Sequence, residues 1–283
     1  MTTTAKEARE AFGERLRNLR KDAGLTGRQL SELAGWHSSK VSKIEYGKQT
    51  PTDDDVRVWC IHTHSADQVP DLLANLRNVE TAYLEQKRMR LPHRQKQSIA
   101  TEGQTGLMRW YEPVVVPGLL QTPPYAEALL AMVLDFYDDP PDDLEPGLAA
   151  RLERQQVLYR GNHRFYFLLG EQVLHTRVGT ADLMLEQMDR LLTAMSLPRV
   201  VLGIVPTSSD YRAPVMNNFI MFDTRMVQVE TISAELTITQ PSEIALYDKA
   251  FHRLKNQAIH GQDARAMIAA AMAALRSDHD PRT

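Results

Sequence analysis

The chain predicts an α+β protein: a five-helix N-terminal domain, a basic linker, and a C-terminal mixed α/β domain with a small sheet. Three observations carry this. Residues 25–47 hold two short amphipathic segments around a glycine, within a first third that is helical in pattern throughout. Residues 98–277 alternate short β-branched or aromatic runs with longer helical patterns. Between them QKRMRLPHRQKQ, residues 86–97, is basic and broken at Pro92, as a linker would be. The expected organisation is therefore 1–85, a linker at 86–97, 98–277, and a disordered tail at 278–283; a chain of 283 residues is long enough for two domains.

The first helix is marked by Phe12, Leu16, Leu19 and Ala23 at helical spacing and ends at Gly24. Thr26 suits an N-cap for the second, whose expected inward face is Leu30, Leu33 and Ala34. Gly35 then fits a helix end that must enter left-handed φ/ψ, where a Cβ is costly. His37 or Ser38 starts the third helix, held inward by Val41 and Ile44. Its outward residues are Ser38, Ser39, Ser42 and Lys43, with Lys40 beside them. Short hydroxyls and amines on an exposed helix are equipment for a DNA major groove. The same two-helix pattern also describes an ordinary helical hairpin with a solvated polar face. After the loop at 47–51, Thr52 caps a fourth helix with Val56, Trp59, Cys60 and Thr63 inward, and a fifth runs from about Asp67 with Leu72, Leu76, Val79 and Tyr83 on one face.

LTGRQLSELAGWHSSKVSKIEYG, residues 25–47, resembles the helix-turn-helix of Xre-type, lambda-repressor-like regulators. Gly35 matches the turn glycine, Leu30, Val41 and Ile44 the packing positions, and Ile44, Glu45 and Gly47 the Ile-Glu-x-Gly ending. The resemblance implies a structural ion pair between Arg20 and Glu45. Ser31 departs from the alanine usual against the turn, and its hydroxyl can bond back into its own helix. Residues 116–130, 186–206 and 227–238 are similar to a C-terminal domain of unknown function found in Xre-type regulators of actinomycetes. That similarity spans roughly residues 98 to 275 and implies transcriptional regulation, with no ligand or catalytic residue.

Composition sets the outer bounds. Hydrophobic residues at 43% and charged ones at 24% are ordinary for a globular protein. No apolar run approaches a membrane span, and MTTTAKEARE lacks the apolar core of a signal peptide, so a cytoplasmic location is expected. One cysteine, Cys60, excludes an internal disulfide and a thiolate metal cage, and its apolar neighbours suggest a buried structural thiol. The net charge is −3, but residues 1–97 carry 17 Lys+Arg against 13 Asp+Glu, while residues 98–283 carry 16 against 23. A basic front and an acidic back suit a DNA reader joined to something that is not one.

In the second domain strands are expected at Glu112–Val116, Arg164–Leu169, Val200–Val205, Phe219–Phe222 and Met226–Thr231, the last two joined as a hairpin by Asp223-Thr224-Arg225. Helices are expected at Pro124–Leu134, Gly147–Arg160, Asp182–Leu197, Ser242–Ile259 and Asp263–Ser277, and Asp135–Pro146 reads as a mobile acidic loop. Met184, Met188 and Met195 recur at helical spacing, where core packing is the better reading than a binding groove.

Signatures of catalysis or cofactor binding are missing from the sequence, so no enzyme activity, cofactor or metal is expected. His62 and His64 fall roughly 200° apart around a helix and cannot share one metal. Glu171, His175 and Arg177 after a strand could form an acid/base cluster or a strand-end ion pair, and Asp210, Tyr211 and Arg212 occupy a loop of the kind that lines pockets.

The expected function is a sequence-specific DNA-binding transcriptional regulator acting on double-stranded DNA. Ser38, Ser39 and Lys43 would reach base edges, and Arg28, Gln29, Lys40, Ser42 and Lys48 would hold the sugar-phosphate backbone. One module makes few contacts, so a homodimer is expected on half-sites about one helical turn apart, with the C-terminal domain supplying dimerisation and effector or partner sensing. The family resemblance offers an alternative, because such regulators often neighbour genes for a very small acidic protein. The chain would then be an antitoxin-like partner that neutralises or recruits that protein and autoregulates its operon. A small-molecule effector and no membrane partner complete the expectations.

Overall fold

A computed structural model describes residues 3–78, 83–85, 91–210 and 212–279. The chain divides into two compact units, Met1–Tyr83 with Thr237–Ala245, and Leu84–Leu236 with Leu246–Thr283.

Five α-helices build the first unit: α1 (Thr3–Asp22), α2 (Gly27–Ala34), α3 (Ser38–Glu45), α4 (Asp53–His62) and α5 (Val69–Asn78). Helices α2 and α4 are each started by a side chain rather than by propensity. Thr26 and Thr52 each accept from the N3 amide of α2 and α4 while Gln29 and Asp55 reach back to the cap amide, two reciprocal capping boxes. Helices of eight and ten residues are marginal alone, so their stability comes from packing. Phe12, Leu16, Leu30, Val41, Ile44, Val56, Trp59, Cys60, Leu72 and Leu73 form that core. Leu33 does not join it. The second helix buries Leu30 and Ser31 instead, and Leu33 is 54% exposed, because so short a helix turns only one narrow stripe inward. Val79 and the Tyr83 side chain lie outside the described residues.

The second unit carries α6 (Leu91–Gly103), α7 (Pro123–Phe136), α8 (Leu144–Arg154), α9 (Ala181–Ala194) and α11 (Gly261–His279), with α10 (Pro241–Gln257) entering it from Leu246 onward. Its strands are β1 (Tyr83–Glu85), β2 (Leu107–Glu112), β3 (Arg164–Gly170), β4 (Val200–Val205), β5 (Phe219–Phe222), β6 (Met226–Glu230), β7 (Ala234–Ile238) and β8 (Ile259–His260). They form one eight-stranded sheet in the order β1-β7-β6-β5-β2-β3-β4-β8, larger than the small sheet expected. Strands β2, β3 and β4 are parallel and joined by helical crossovers; β5, β6 and β8 pair antiparallel at the flanks.

Three differences from the sequence-based reading have physical causes. Residues 91–97, read as linker, are the first turns of α6, because Pro92 sits where a helix tolerates the missing N–H. Strand β2 ends at Glu112 rather than starting there, and the run Val114–Val116 is the loop that follows it. The acidic segment at 135–146 contains a 3-10 turn at Pro141–Asp143, with Asp143 buried, and the first turn of α8.

Helices α7, α9 and α11 seal one face of the sheet over Met108, Phe165, Phe167, Leu169, Leu202 and Ile204. Met184 and Met188 belong to that core and Met195 packs at its edge. The opposite face carries Tyr111 and Phe219, directly paired, with Tyr247 and Phe251 of α10 stacked edge-on to Phe219. No helix among the described residues is long and apolar enough to cross a membrane.

Candidate nucleic-acid interface

Helices α2 and α3 are joined by a three-residue bend, Gly35 to His37. Gly35 sits at φ 67° and its N–H donates to Glu32, while the Trp36 N–H reaches back to the Ser31 carbonyl at 2.8 Å. That left-handed cap is the backbone reason for glycine. Ser31 is buried and its hydroxyl donates to the Arg28 carbonyl at 2.7 Å, so the polar group against the turn is satisfied within its own helix. His37 caps α3: its Nδ1 accepts from the Ser39 N–H at 3.3 Å and lies 2.8 Å from the Ser39 hydroxyl.

The third helix is anchored on its inner side at three residues, Val41, Ile44 and Glu45. Val41 and Ile44 are 1% exposed, and the Glu45 carboxylate is gripped by Arg20 with Nε–Oε1 at 2.5 Å and Nη2–Oε2 at 3.0 Å. Arg17 adds a longer contact at 3.7 Å. Gly13 of α1 lets the two helices touch: a Cβ there would stand 2.4 Å from the Ile44 carbonyl oxygen. This glycine had no turn signal around it, so nothing in the sequence pattern singled it out.

On the outer side, Ser38, Ser42 and Lys43 are exposed, as is Lys48 in the following loop, while Ser39 is half-buried beside His37. Arg28 is exposed and paired with Glu32 one turn on, which raises its already high pKa. Gln29 spends its amide oxygen on the Thr26 cap and keeps its NH2 as a donor.

Lys40 is the exception among the expected phosphate contacts. Its ammonium sits 2.5 Å from Asp55 Oδ1 and 4.6 Å above the Trp36 ring, so it ties α3 to the start of α4 and is not a free surface cation. Burial alone would push the Asp55 carboxyl up, but Lys40 and the Thr52 cap together hold it below the ordinary carboxylate range.

Outside this face, the other sequence candidates resolve into local pairs. Glu171 accepts from the Thr207 N–H and hydroxyl, both at 2.6 Å, which lowers its pKa, with His175 contributing weakly; it is neither an acid/base cluster nor a His175 ion pair. Asp210 and Arg212 bond each other at 2.7 Å beside Glu171 along a cleft of ≈ 260 Å³, and Tyr211 lies outside the described residues. No group of three or more potential metal ligands occurs among the described residues.

A helix anchored on its inner side with a polar outer face defines the class: the N-terminal unit is a helix-turn-helix DNA-binding domain, and a helix-turn-helix domain model matches residues 11–63. The chain belongs to the family defined by a domain of unknown function (DUF5753), whose model matches residues 95–270, more than half its length. No curated protein matches. One solved structure, of the archaeal chromatin protein TrmBL2, described as showing a novel mode of DNA binding, aligns at 10% identity over 84% of this chain and 88% of that one, with a TM-score of 0.33, too low to establish a shared fold.

Proposed function

We propose that the protein is a sequence-specific transcriptional regulator of the Xre type. The observation that carries this is the two-sidedness of α3: Val41, Ile44 and Glu45 are buried and pinned, while Ser38, Ser42 and Lys43 project to solvent. A helix fixed from behind can enter a major groove without losing its register. Lys43 is the discriminating contact, able to donate to guanine O6 and N7 for on the order of 1–3 kcal/mol, with Ser38, and Ser39 more weakly, specifying loosely. Arg28, Gln29, Ser42 and Lys48 neutralise or hydrogen-bond phosphates. Two copies read two half-sites, and the second unit supplies dimerisation and signal input.

The test is a pair of variants on DNA recovered by selection with the purified chain. Lys43→Ala relaxes base preference at its position. Lys48→Ala weakens binding evenly across sequences and flattens the salt slope by about one. Equal losses on all sequences for both variants would overturn the division of roles.

A second reading is supported by a different surface. An apolar cleft of ≈ 640 Å³ in the second unit is lined by Met216, Leu246 and Tyr247, with Lys249 and Arg253 among its residues. Met216 is 88% and Leu246 66% exposed. Apolar floor and basic residues suit a small acidic protein, as in an antitoxin-like partner that autoregulates its operon. Co-purification with an adjacent gene product, lost on Met216→Glu, distinguishes it.

A further inference from the structure

A sheet face closed over by helices is ordinarily apolar. In the second unit this holds under α7, α9 and α11 but fails one strand further on. There β2, β6 and β7 turn Glu112, Gln228 and Glu235, and β5 turns Ile220, toward a partly enclosed cavity of ≈ 150 Å³, while Arg151 and Arg154 of α8 and Gln95 of α6 enter it from the helix side. The strands are in register across it, Trp110 opposite Ile220 and Ile220 opposite Gln228, so the polar set occupies regular inward positions rather than a frayed edge.

The ionisable groups are sorted by wall, arginine on the helices and carboxyl on the strands, and three of them have no counter-ion among the described residues. Arg154 has its own counter-ion in Glu102 at 2.5 Å. Arg151 bonds only neutral amides among the described residues, Nη1 to Gln121 Oε1 at 2.9 Å and Nε to Gln95 Oε1 at 3.4 Å. Opposite, Glu112 accepts from Asn218 at 3.1 Å and Trp110 at 3.3 Å, and Glu235 accepts from the Gln228 amide at 3.0 Å. Among the described residues neither carboxyl bonds a cation. Burying three such groups without counter-ions costs several kcal/mol that apolar side chains would not. The protonation equilibria agree. Burial, then the neighbouring Arg154, lowers Arg151 to about 9, and burial raises Glu112 to about 7 and lifts Glu235.

The geometry points to a binding site for a small zwitterion, an amino-carboxylate whose carboxylate lies on Arg151 and whose ammonium lies between Glu112 and Glu235. Such a ligand gives Arg151 an anion and the two carboxyls one shared cation, the second carboxyl keeping its proton, which neither a simple acid nor a simple amine does. A volume of this size holds an occupant of about benzene's bulk, so the ligand is a compact one of about six to ten heavy atoms. The way in is also visible. The Arg94–Glu230 ion pair, at 2.6 Å, and Asn218 line both this cavity and a wider cleft of ≈ 670 Å³ bordered by Val133, Tyr137 and Ile232. That pair stands at the entrance.

The site deepens the signal-input reading above and rests on it only for its consequence on DNA; binding itself is measured without DNA. The experiment is calorimetric titration of the full chain with the L-α-amino acids, β-alanine and γ-aminobutyrate at millimolar concentration, each beside the acid lacking the amine and the amine lacking the acid. At least one amino-carboxylate gives a saturable isotherm and raises the melting temperature, and its acid and amine counterparts bind about ten-fold more weakly or worse. Arg151→Gln and Glu112→Gln each lower the affinity of that ligand by about ten-fold or more, with circular dichroism confirming the fold. No binding by any amino-carboxylate, an acid that binds as well as its zwitterion, or a folded Arg151→Gln with unchanged affinity would each overturn the assignment. Should Arg151→Gln not fold, the three-way comparison on the unaltered chain decides alone. Ligand binding with no effect on a measured operator complex sinks the signal-input reading and leaves the site standing.

Discussion

Arg20 holds Glu45 with two parallel hydrogen bonds, at 2.5 and 3.0 Å, and both side chains are buried. The third edge of the same guanidinium donates to the Leu25 carbonyl at 2.5 Å. One side chain thus fixes the end of α3 and the loop before α2 together, which sets the angle at which the reading helix leaves its domain.

Removing one partner of this pair leaves a buried charge. Arg20→Met is expected to destabilise the full chain by on the order of 3–5 kcal/mol in urea unfolding, because Glu45 keeps its desolvation penalty and loses its counter-ion. The double variant Arg20→Met, Glu45→Leu recovers most of that loss. A double variant as unstable as the single one would show that the pair matters through packing and not through charge.

Gly13 sets the distance between α1 and α3. Alanine favours a helix over glycine by about 1 kcal/mol, yet its Cβ would meet two backbone oxygens, of Ile44 at 2.4 Å and Glu45 at 2.7 Å, that cannot rotate away. The steric term wins: Gly13→Ala lowers stability by about 1–3 kcal/mol and weakens DNA binding measured by fluorescence anisotropy. An equally or more stable variant contradicts the close approach.

What was legible in the sequence was local. Thr26, Gly35, Val41 and Ile44 declare caps, turns and faces within a few residues, and the structure puts them to those uses. Leu33 misled because spacing alone does not say how wide a buried stripe will be. The Lys40–Asp55 pair was not legible because Asp55 belongs to another helix, and spacing along one helix does not reveal a partner on the next. The cavity was invisible for the same reason. Gln95, Glu112, Arg151 and Glu235 come from four separate elements, and each alone reads as a solvated polar side chain.

Lys40 is therefore expected to act on stability and not on DNA. Its pair with Asp55 is partly buried, and a folded carboxyl pKa held below its unfolded value adds stability above the unfolded pKa that is lost as pH falls through the folded one. Lys40→Met lowers unfolding stability at neutral pH and narrows the gap to the unaltered chain in acid below about pH 4. The slope of log affinity against log salt stays where it was, in contrast to Lys48→Ala, whose slope falls by about one. A slope that also falls for Lys40→Met would place Lys40 on phosphate after all.

Glu112 carries the opposite pH signature. Burial raises its pKa from 4.5 to about 7, against the opposing hydrogen bonds from Asn218 and Trp110. Between those values the folded chain keeps a proton that the unfolded chain has released, so the folded state binds more protons and stability falls as pH rises. The fall begins near the unfolded pKa, is complete just above 7, and amounts to on the order of 3 kcal/mol. Glu112→Gln has nothing to titrate and keeps an oxygen for Asn218 to donate to. Urea unfolding of both chains from pH 4 to 8 should show the curves diverging across that window, with the variant gaining on the unaltered chain as pH rises. Parallel curves would mean that Glu112 ionises as an ordinary surface carboxylate, and the strand-side wall of the cavity would then be wetter than its burial indicates.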